Sequence, residues 1–235
     1  MTEGIDTRPA VEETQEPVCG DLRARLWLYV LTDRGRARGR SDEQIVAAAL
    51  DGGATAIQLR GKDLTGAALV RVGRRLRELT RAASALLIIN DRVDVALAVE
   101  ADGVHVGQDD IPARDARRLV GPDRLLGVSA RTVDEAVRAV RDGADYIGFG
   151  PVFPTVTKED AGAPSGVEEL QRACRAVAIP VVAIGGITPS NAGAILAAGA
   201  VGVAVISAVV SAPDSALATR VLHRAVRDGY RSSHA

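Results

Sequence analysis

The sequence predicts an α/β fold, a single-domain (β/α)8 TIM barrel preceded by a disordered N-terminal extension. Three observations predict it. Eight short β-rich runs alternate with longer segments of helical period. Most of those runs are continuously apolar, as strands covered on both faces are. The repeating units also fit into about 200 residues, the lower size range of such barrels. An open doubly wound sheet is the competing architecture, but it usually carries a glycine fingerprint after its first strand. Here the first run ends Leu31-Thr32-Asp33-Arg34, and the similar string from Gly148 to Phe153 lacks both the third glycine and a following helix.

Residues 1–20 hold Glu3, Asp6, Glu12, Glu13 and Glu16, two prolines and little to bury, so they read as the disordered extension. They contain no apolar stretch of the kind a secretory signal needs, and the chain is expected in the cytoplasm. The barrel domain is expected over residues 21–230, beginning near Leu22, with a tail at 231–235. Its strand runs are Trp27–Thr32, Thr55–Arg60, Leu86–Asn90, Gly103–Val106, Leu125–Ser129, Tyr146–Gly150, Val181–Ile184 and Val201–Ile206. Between them stand helix starts: Ser41 before Asp42 and Glu43, Thr132 with Glu135 as a capping box, Ser165 three residues before Glu168, and Thr188-Pro189. Leu69, Val72, Leu76 and Leu79 form an apolar stripe at helical spacing. The uncharged stretch Ala192–Pro213 is too rich in alanine, glycine and serine for a bilayer span, and Gly199 divides it into two elements.

With 29 basic and 30 acidic residues, net charge gives no global reason to bind nucleic acid or an acidic membrane. Cys19 and Cys174 have neither CxxC nor zinc-ligand spacing, which fits a reducing compartment. Of the 29 basic residues 27 are arginine, and the two lysines are Lys62 and Lys158.

In a barrel, chemistry gathers where strands end. The second run ends Gln58-Leu-Arg60-Gly-Lys62-Asp63, the third Asn90-Asp91, and the fourth Gly107-Gln108-Asp109-Asp110. The fifth ends at Ser129. The sixth leads through Thr155 and Thr157 to Lys158, the seventh ends Gly185-Gly186, and the eighth Ile206-Ser207. Both lysines stand on this rim. Against an arginine background they suggest positions where a compact ammonium is needed and a planar guanidinium will not serve. Asp91 or Asp110 alone would read as a helix cap or salt-bridge partner. Together, beside Arg60, Lys62 and Lys158, they suit a Mg²⁺ shared with substrate phosphates. His105 reads as a strand residue with a satisfied ring, lining the site. The glycine pair with Thr188 and Ser207 marks the usual phosphate loops of a barrel; a tight strand–helix turn would account for one glycine and less easily for two.

Taken in order from about Trp27 to Ser211, these strings resemble those of the thiamine-phosphate synthase family. The resemblance rests on Gln58-Leu-Arg60-Gly-Lys62, Asn90-Asp91, Gly103-Val-His-Val-Gly-Gln-Asp-Asp110, Gly127-Val-Ser129, Gly150-Pro-Val-Phe-Pro-Thr155-Val-Thr157-Lys158 and Ala183-Ile-Gly-Gly-Ile187. It implies a Mg²⁺-dependent transferase of thiamine biosynthesis. The reaction would join the diphosphate of 4-amino-5-hydroxymethyl-2-methylpyrimidine to a thiazole phosphate by a dissociative path, releasing pyrophosphate. By the same resemblance Gln58, Arg60, Lys62, Asn90, Ser129 and Lys158 contact the pyrimidine diphosphate, with Lys158, Ser129, Arg60 and Lys62 the catalytic set. Asp91 and Asp110 hold Mg²⁺, and Thr155, Thr157, Gly186, Ile206 and Ser207 hold the thiazole phosphate. The pocket is then expected to be rich in cations. The implied partners are small phosphorylated molecules, not nucleic acid or a membrane, and a homo-oligomer stays open.

Three features depart from the family pattern. Gly61 replaces a larger residue, residues 1–20 are additional, and the loop Arg34–Arg40 is unusually basic. That loop follows the first strand on the same rim and reads mainly as a solvated arginine-rich loop. A thiazole tautomerase would need a histidine near the sixth-strand loop, where this chain has Pro151 and Pro154. A phosphate sensor would need neither the two aspartates nor the two lysines.

Overall fold

Eight parallel strands pair in sequence order and the last closes on the first. The computed structural model describes residues 22–155, 157 and 162–233. The expected extension at 1–20 therefore lies outside the described residues, as do Cys19 and Lys158. A short helix α1 (Leu22–Arg25) leads into β1 (Leu28–Leu31), and α2 (Asp42–Asp51) and β2 (Ala56–Leu59) follow. The chain continues through α3 (Gly66–Ala82), β3 (Leu86–Asn90), α4 (Val93–Ala98), β4 (Gly103–Val106), α5 (Ala113–Val120) and β5 (Leu125–Ala130). It closes with α6 (Val133–Arg141), β6 (Tyr146–Phe149), α7 (Gly166–Ala176), β7 (Val181–Ile184), α8 (Ala192–Ala197), β8 (Gly202–Val205), α9 (Ser207–Val210) and α10 (Ser215–Ser233). Every expected strand is present, with ends moved by no more than one residue. Helix α10 runs through Ser233, past the boundary expected at 231. Among the described residues no helix is long and apolar enough to cross a membrane.

Strand parity explains why most of these runs are apolar, Gln58 in β2 and His105 in β4 being exceptions. Leu28, Val30, Ile57, Leu59, Leu87, Ile89, Val104 and Val106 face outward into one buried cluster shared with the helices. Tyr29, Leu31, Ala56, Leu86, Ile88, Tyr146, Val182 and Ala204 face inward into a second. Side chains on a strand alternate between faces, so a strand buried on both needs no polar positions until it reaches the rim.

The helix signals were met unevenly. Ser41 forms a full capping box with Gln44, and Thr132 accepts from the Glu135 amide. The Glu135 carboxylate, however, accepts from Arg131 N at 2.6 Å, so that box is closed on one side only. Ser165 makes no cap; its hydroxyl donates to Pro151 O at 3.1 Å. Thr188-Pro189 does not start a helix either. Asn191 caps the turn by accepting from Thr188 N at 2.8 Å, and α8 begins one residue later. Leu69 and Leu76 are buried along α3 as the stripe requires.

Arginines bolt the helices to the opposite end of the barrel. Asp102, just before β4, accepts from Leu87 N (2.7 Å) and from Arg77 of α3 (2.6 Å) through the same oxygen. Asp145, just before β6, accepts likewise from Leu126 N (2.7 Å) and from Arg117 of α5. The basic loop after β1 is tied down as well. Arg40 donates to Val210 O (2.7 Å), Ala212 O (2.8 Å) and Ser215 Oγ (3.0 Å), so this arginine is a clamp on the loop before α10 rather than a solvated charge.

Candidate active site

At the carboxyl rim a cavity of about 710 Å³ brings together Arg60, Lys62, Asn90, Asp91, Asp110, Ser129, Thr155, Thr157, Gly186, Ile206 and Ser207. These come from β2, β3, β4, β5, β6, β7 and β8 or the loops that follow them. The closed sheet therefore unites residues up to about 150 positions apart in the chain. Of the site residues expected from sequence, Gln58 lies lower. It is buried and lines a small void beneath the cavity with Tyr29, His105, Ser129 and Tyr146.

Local geometry explains several positions. Asp91 takes a left-handed backbone, φ 61°, immediately after β3. Aspartate tolerates that conformation better than most residues do, and the turn leaves Asp91 among the cavity-lining residues. Asp110 Oδ2 accepts from Gly107 N at 2.7 Å, which closes the loop after β4 on itself. Arg60 is held by Asp33 at 3.4 Å, both side chains being largely shielded from water. Thr157 shares hydrogen bonds with Thr155 (3.1 Å) and Ser207 (3.2 Å), so the loops after β6 and β8 meet at one cluster of hydroxyls.

Gly185 and Gly186 both have positive φ, 97° and 64°. A side chain on either would lie within 2.7 Å of the segment from Pro151 to Pro154. Backbone geometry and packing thus account for the pair without a ligand, a correction to the argument that a turn explains two glycines less easily than one. The departure at Gly61 has a packing reason too, since Leu64 and Leu69 occupy the space its side chain would need.

The expectation of a cation-rich pocket included Lys158, which lies outside the described residues. The described lining carries Arg60, Lys62 and Arg131 against Asp91, Asp109, Asp110 and Glu135, three positive groups to four negative. Two of the carboxylates, Asp91 and Asp110, suit a hard divalent cation that completes its shell with water and substrate oxygens. No group of three or more potential metal ligands occurs among the described residues.

Sequence reasoning stopped at Ser129 and missed Arg131, two residues further along the same strand-end segment. It missed Tyr29 and Tyr146 as well. These are two of only three tyrosines in the chain, but both stand inside strand runs. Gln58 Nε2 donates to Tyr29 Oη (2.8 Å), the two tyrosine hydroxyls are 3.0 Å apart, and Tyr146 Oη is 3.1 Å from His105 Nδ1. His105 Nε2 reaches Ser129 Oγ at 3.0 Å, so both ring nitrogens are engaged, as expected for a satisfied histidine. Burial pushes the hydroxyls of Tyr29 and Tyr146 well above the ordinary tyrosine range, so both are neutral.

A closed (β/α)8 barrel with a polar cavity at its carboxyl rim defines the class, that of barrels whose strand ends line a pocket. The family model for thiamine monophosphate synthase matches residues 28–209. Thiamine-phosphate synthase of Roseiflexus castenholzii is 58% identical over 195 residues, 83% of this chain and 86% of the relative. That of Moorella thermoacetica is 56% identical over 199 residues, 85% of this chain and 95% of the relative. A solved structure, thiamine phosphate pyrophosphorylase from Pyrococcus furiosus, superposes with a TM-score of 0.82 at 45% identity, covering 89% of this chain and 99% of that one. The chain belongs to the thiamine monophosphate synthase family, and it is an enzyme of the transferase class.

Proposed function

We propose that this cavity couples 4-amino-2-methyl-5-(diphosphooxymethyl)pyrimidine with thiazole phosphate, forming thiamine phosphate and pyrophosphate in a Mg²⁺-dependent, dissociative reaction. One observation carries the reading: a single cavity gathers the cations, the two carboxylates Asp91 and Asp110 and the hydroxyl cluster from successive strand ends. Arg60, Lys62, Asn90 and Ser129, with Lys158 from beyond the described residues, bind the diphosphate. Gln58, on the floor, would contact the same pyrimidine diphosphate substrate from below. Thr155, Thr157, Gly186, Ile206 and Ser207 bind the thiazole phosphate opposite.

Asp91 and Asp110 would hold Mg²⁺, which when bound offsets charge on the departing diphosphate. The chain's own residues then have little covalent work. Their task is to hold two substrates in line, exclude water and stabilise charge as the carbon–oxygen bond breaks, after which the thiazole nitrogen captures the pyrimidine methylene. The reading includes a cytoplasmic enzyme with small phosphorylated partners. Cys174, whose thiol burial pushes up to about 11, is inert in it.

The test is pyrophosphate release by folded protein supplied with Mg²⁺ and both substrates. Absence of thiamine phosphate would overturn the reading. Asp91→Asn is expected to raise the Mg²⁺ concentration for half-maximal rate about tenfold, as loss of a charged ligand should, and an unchanged titration would remove Asp91 from the metal set.

A further inference from the structure

We propose that the buried file Gln58–Tyr29–Tyr146–His105 sets the ring tautomer of His105 and thereby makes the Ser129 hydroxyl a hydrogen-bond donor into the cavity. The inference deepens the proposed function, because it takes the acceptor to be an anionic oxygen of the diphosphate substrate bound there.

The direction follows from counting protons. The Gln58 amide donates to Tyr29 Oη at 2.8 Å, so the Tyr29 proton must go elsewhere, and the acceptor within reach is Tyr146 Oη at 3.0 Å. Tyr146, now accepting, donates its own proton to His105 Nδ1 at 3.1 Å. A neutral imidazole with Nδ1 as acceptor carries its hydrogen on Nε2, which donates to Ser129 Oγ at 3.0 Å. The serine proton is left for the cavity that Ser129 lines. Run backwards, the file would leave the hydroxyl proton of Tyr29 buried without an acceptor, and would turn a serine lone pair toward an anion.

Space is reserved for the file. A side chain at Gly127 would lie 2.2 Å from the Tyr146 ring and 2.4 Å from His105 Nδ1, and one at Gly148 would lie 2.8 Å from His105 Cε1. Gly127 and Gly148 are thus the two openings into which Tyr146 and His105 fit. On this reading Tyr29, Tyr146 and His105 are positioning residues.

The first experiment is long-range proton–nitrogen correlation NMR of the ¹⁵N-labelled full chain without substrate at pH about 8. Three histidines make assignment simple. His105 is expected to show a protonated Nε2 and a bare Nδ1; a proton on Nδ1 overturns the proposal whatever the enzyme catalyses. The second is a double-mutant cycle. Tyr146→Phe should lower kcat/KM for the pyrimidine diphosphate about tenfold in the native background and about twofold or less alongside Ser129→Ala. Equal losses in both backgrounds would overturn it. A chain inactive with the correct substrates would sink the proposed function while leaving the NMR result to decide the tautomer, so the two failures are distinguishable.

Discussion

Arg60 illustrates how a single residue is readied for an anion. Its guanidinium is held 3.4 Å from Asp33, and its backbone N donates to Thr32 Oγ1 at 3.0 Å, so little conformational freedom remains to be lost when substrate arrives. Asp33→Asn would keep the shape and weaken the hold. We expect kcat/KM to fall about tenfold, equivalent to about 1.4 kcal/mol, mostly through KM; steady-state kinetics with unchanged thermal stability checks this. Legibility at this scale depended on rarity and on position together. Lys62, Asn90, Asp91, Asp110 and Ser129 were readable because each stands where a strand stops. Tyr29 and Tyr146 were not, because inside a strand a tyrosine reads as another apolar residue. Only the parity of a closed barrel shows that both hydroxyls point to the same axis. Gln58 was readable as a site residue but not as part of the floor, since its depth depends on where β2 ends relative to its neighbours.

At the scale of elements, the aspartate–arginine joints before β4 and β6 give Arg77 and Arg117 structural work. A guanidinium can donate to several acceptors at once, as Arg117 does to Gly121 O, Arg124 O and Gly143 O. Asp102→Ala would leave the Arg77 charge and the Leu87 amide without their shared acceptor, and we expect a loss of about 2–4 kcal/mol in urea unfolding. Helix α2 carries the opposite kind of carboxylate. Asp42 is buried at its first turn, and desolvation pushes its carboxyl up to about 6. A folded pKa above the unfolded value means the native state binds more protons between about pH 4 and 6, so this group's penalty grows as pH rises through that window. Asp42→Asn should therefore unfold at higher urea than the parent at pH 7 and lose that advantage near pH 4. The strands were legible from composition because burial on two faces leaves a plain apolar signature. Caps were less so: whether Ser165 or Asn191 satisfies a helix end depends on where Pro151 and Thr188 lie in space.

For the whole molecule, the near-zero charge in the sequence has a counterpart in the described part of the cavity lining, where three cations stand against four carboxylates. Specificity then rests on arrangement more than on net field, and salt should affect substrate capture only modestly. The fold class was legible because the order of eight units leaves few topologies open. The balance of charge was not, because Asp109, Arg131 and Glu135 join the lining only when neighbouring strand ends converge.

The scarcity of lysine has a practical consequence. Lys62 sits exposed on the cavity rim, and amine acylation has only Lys62, Lys158 and the chain's terminal amine to attack. A mild active ester should therefore act as an affinity reagent without having been designed as one. We expect labelling at Lys62, read by peptide mass spectrometry, to slow at least fivefold when pyrophosphate and Mg²⁺ are present, the protection that saturating a site gives. Acylation that proceeds at the same rate with and without them would place Lys62 outside the anion's reach.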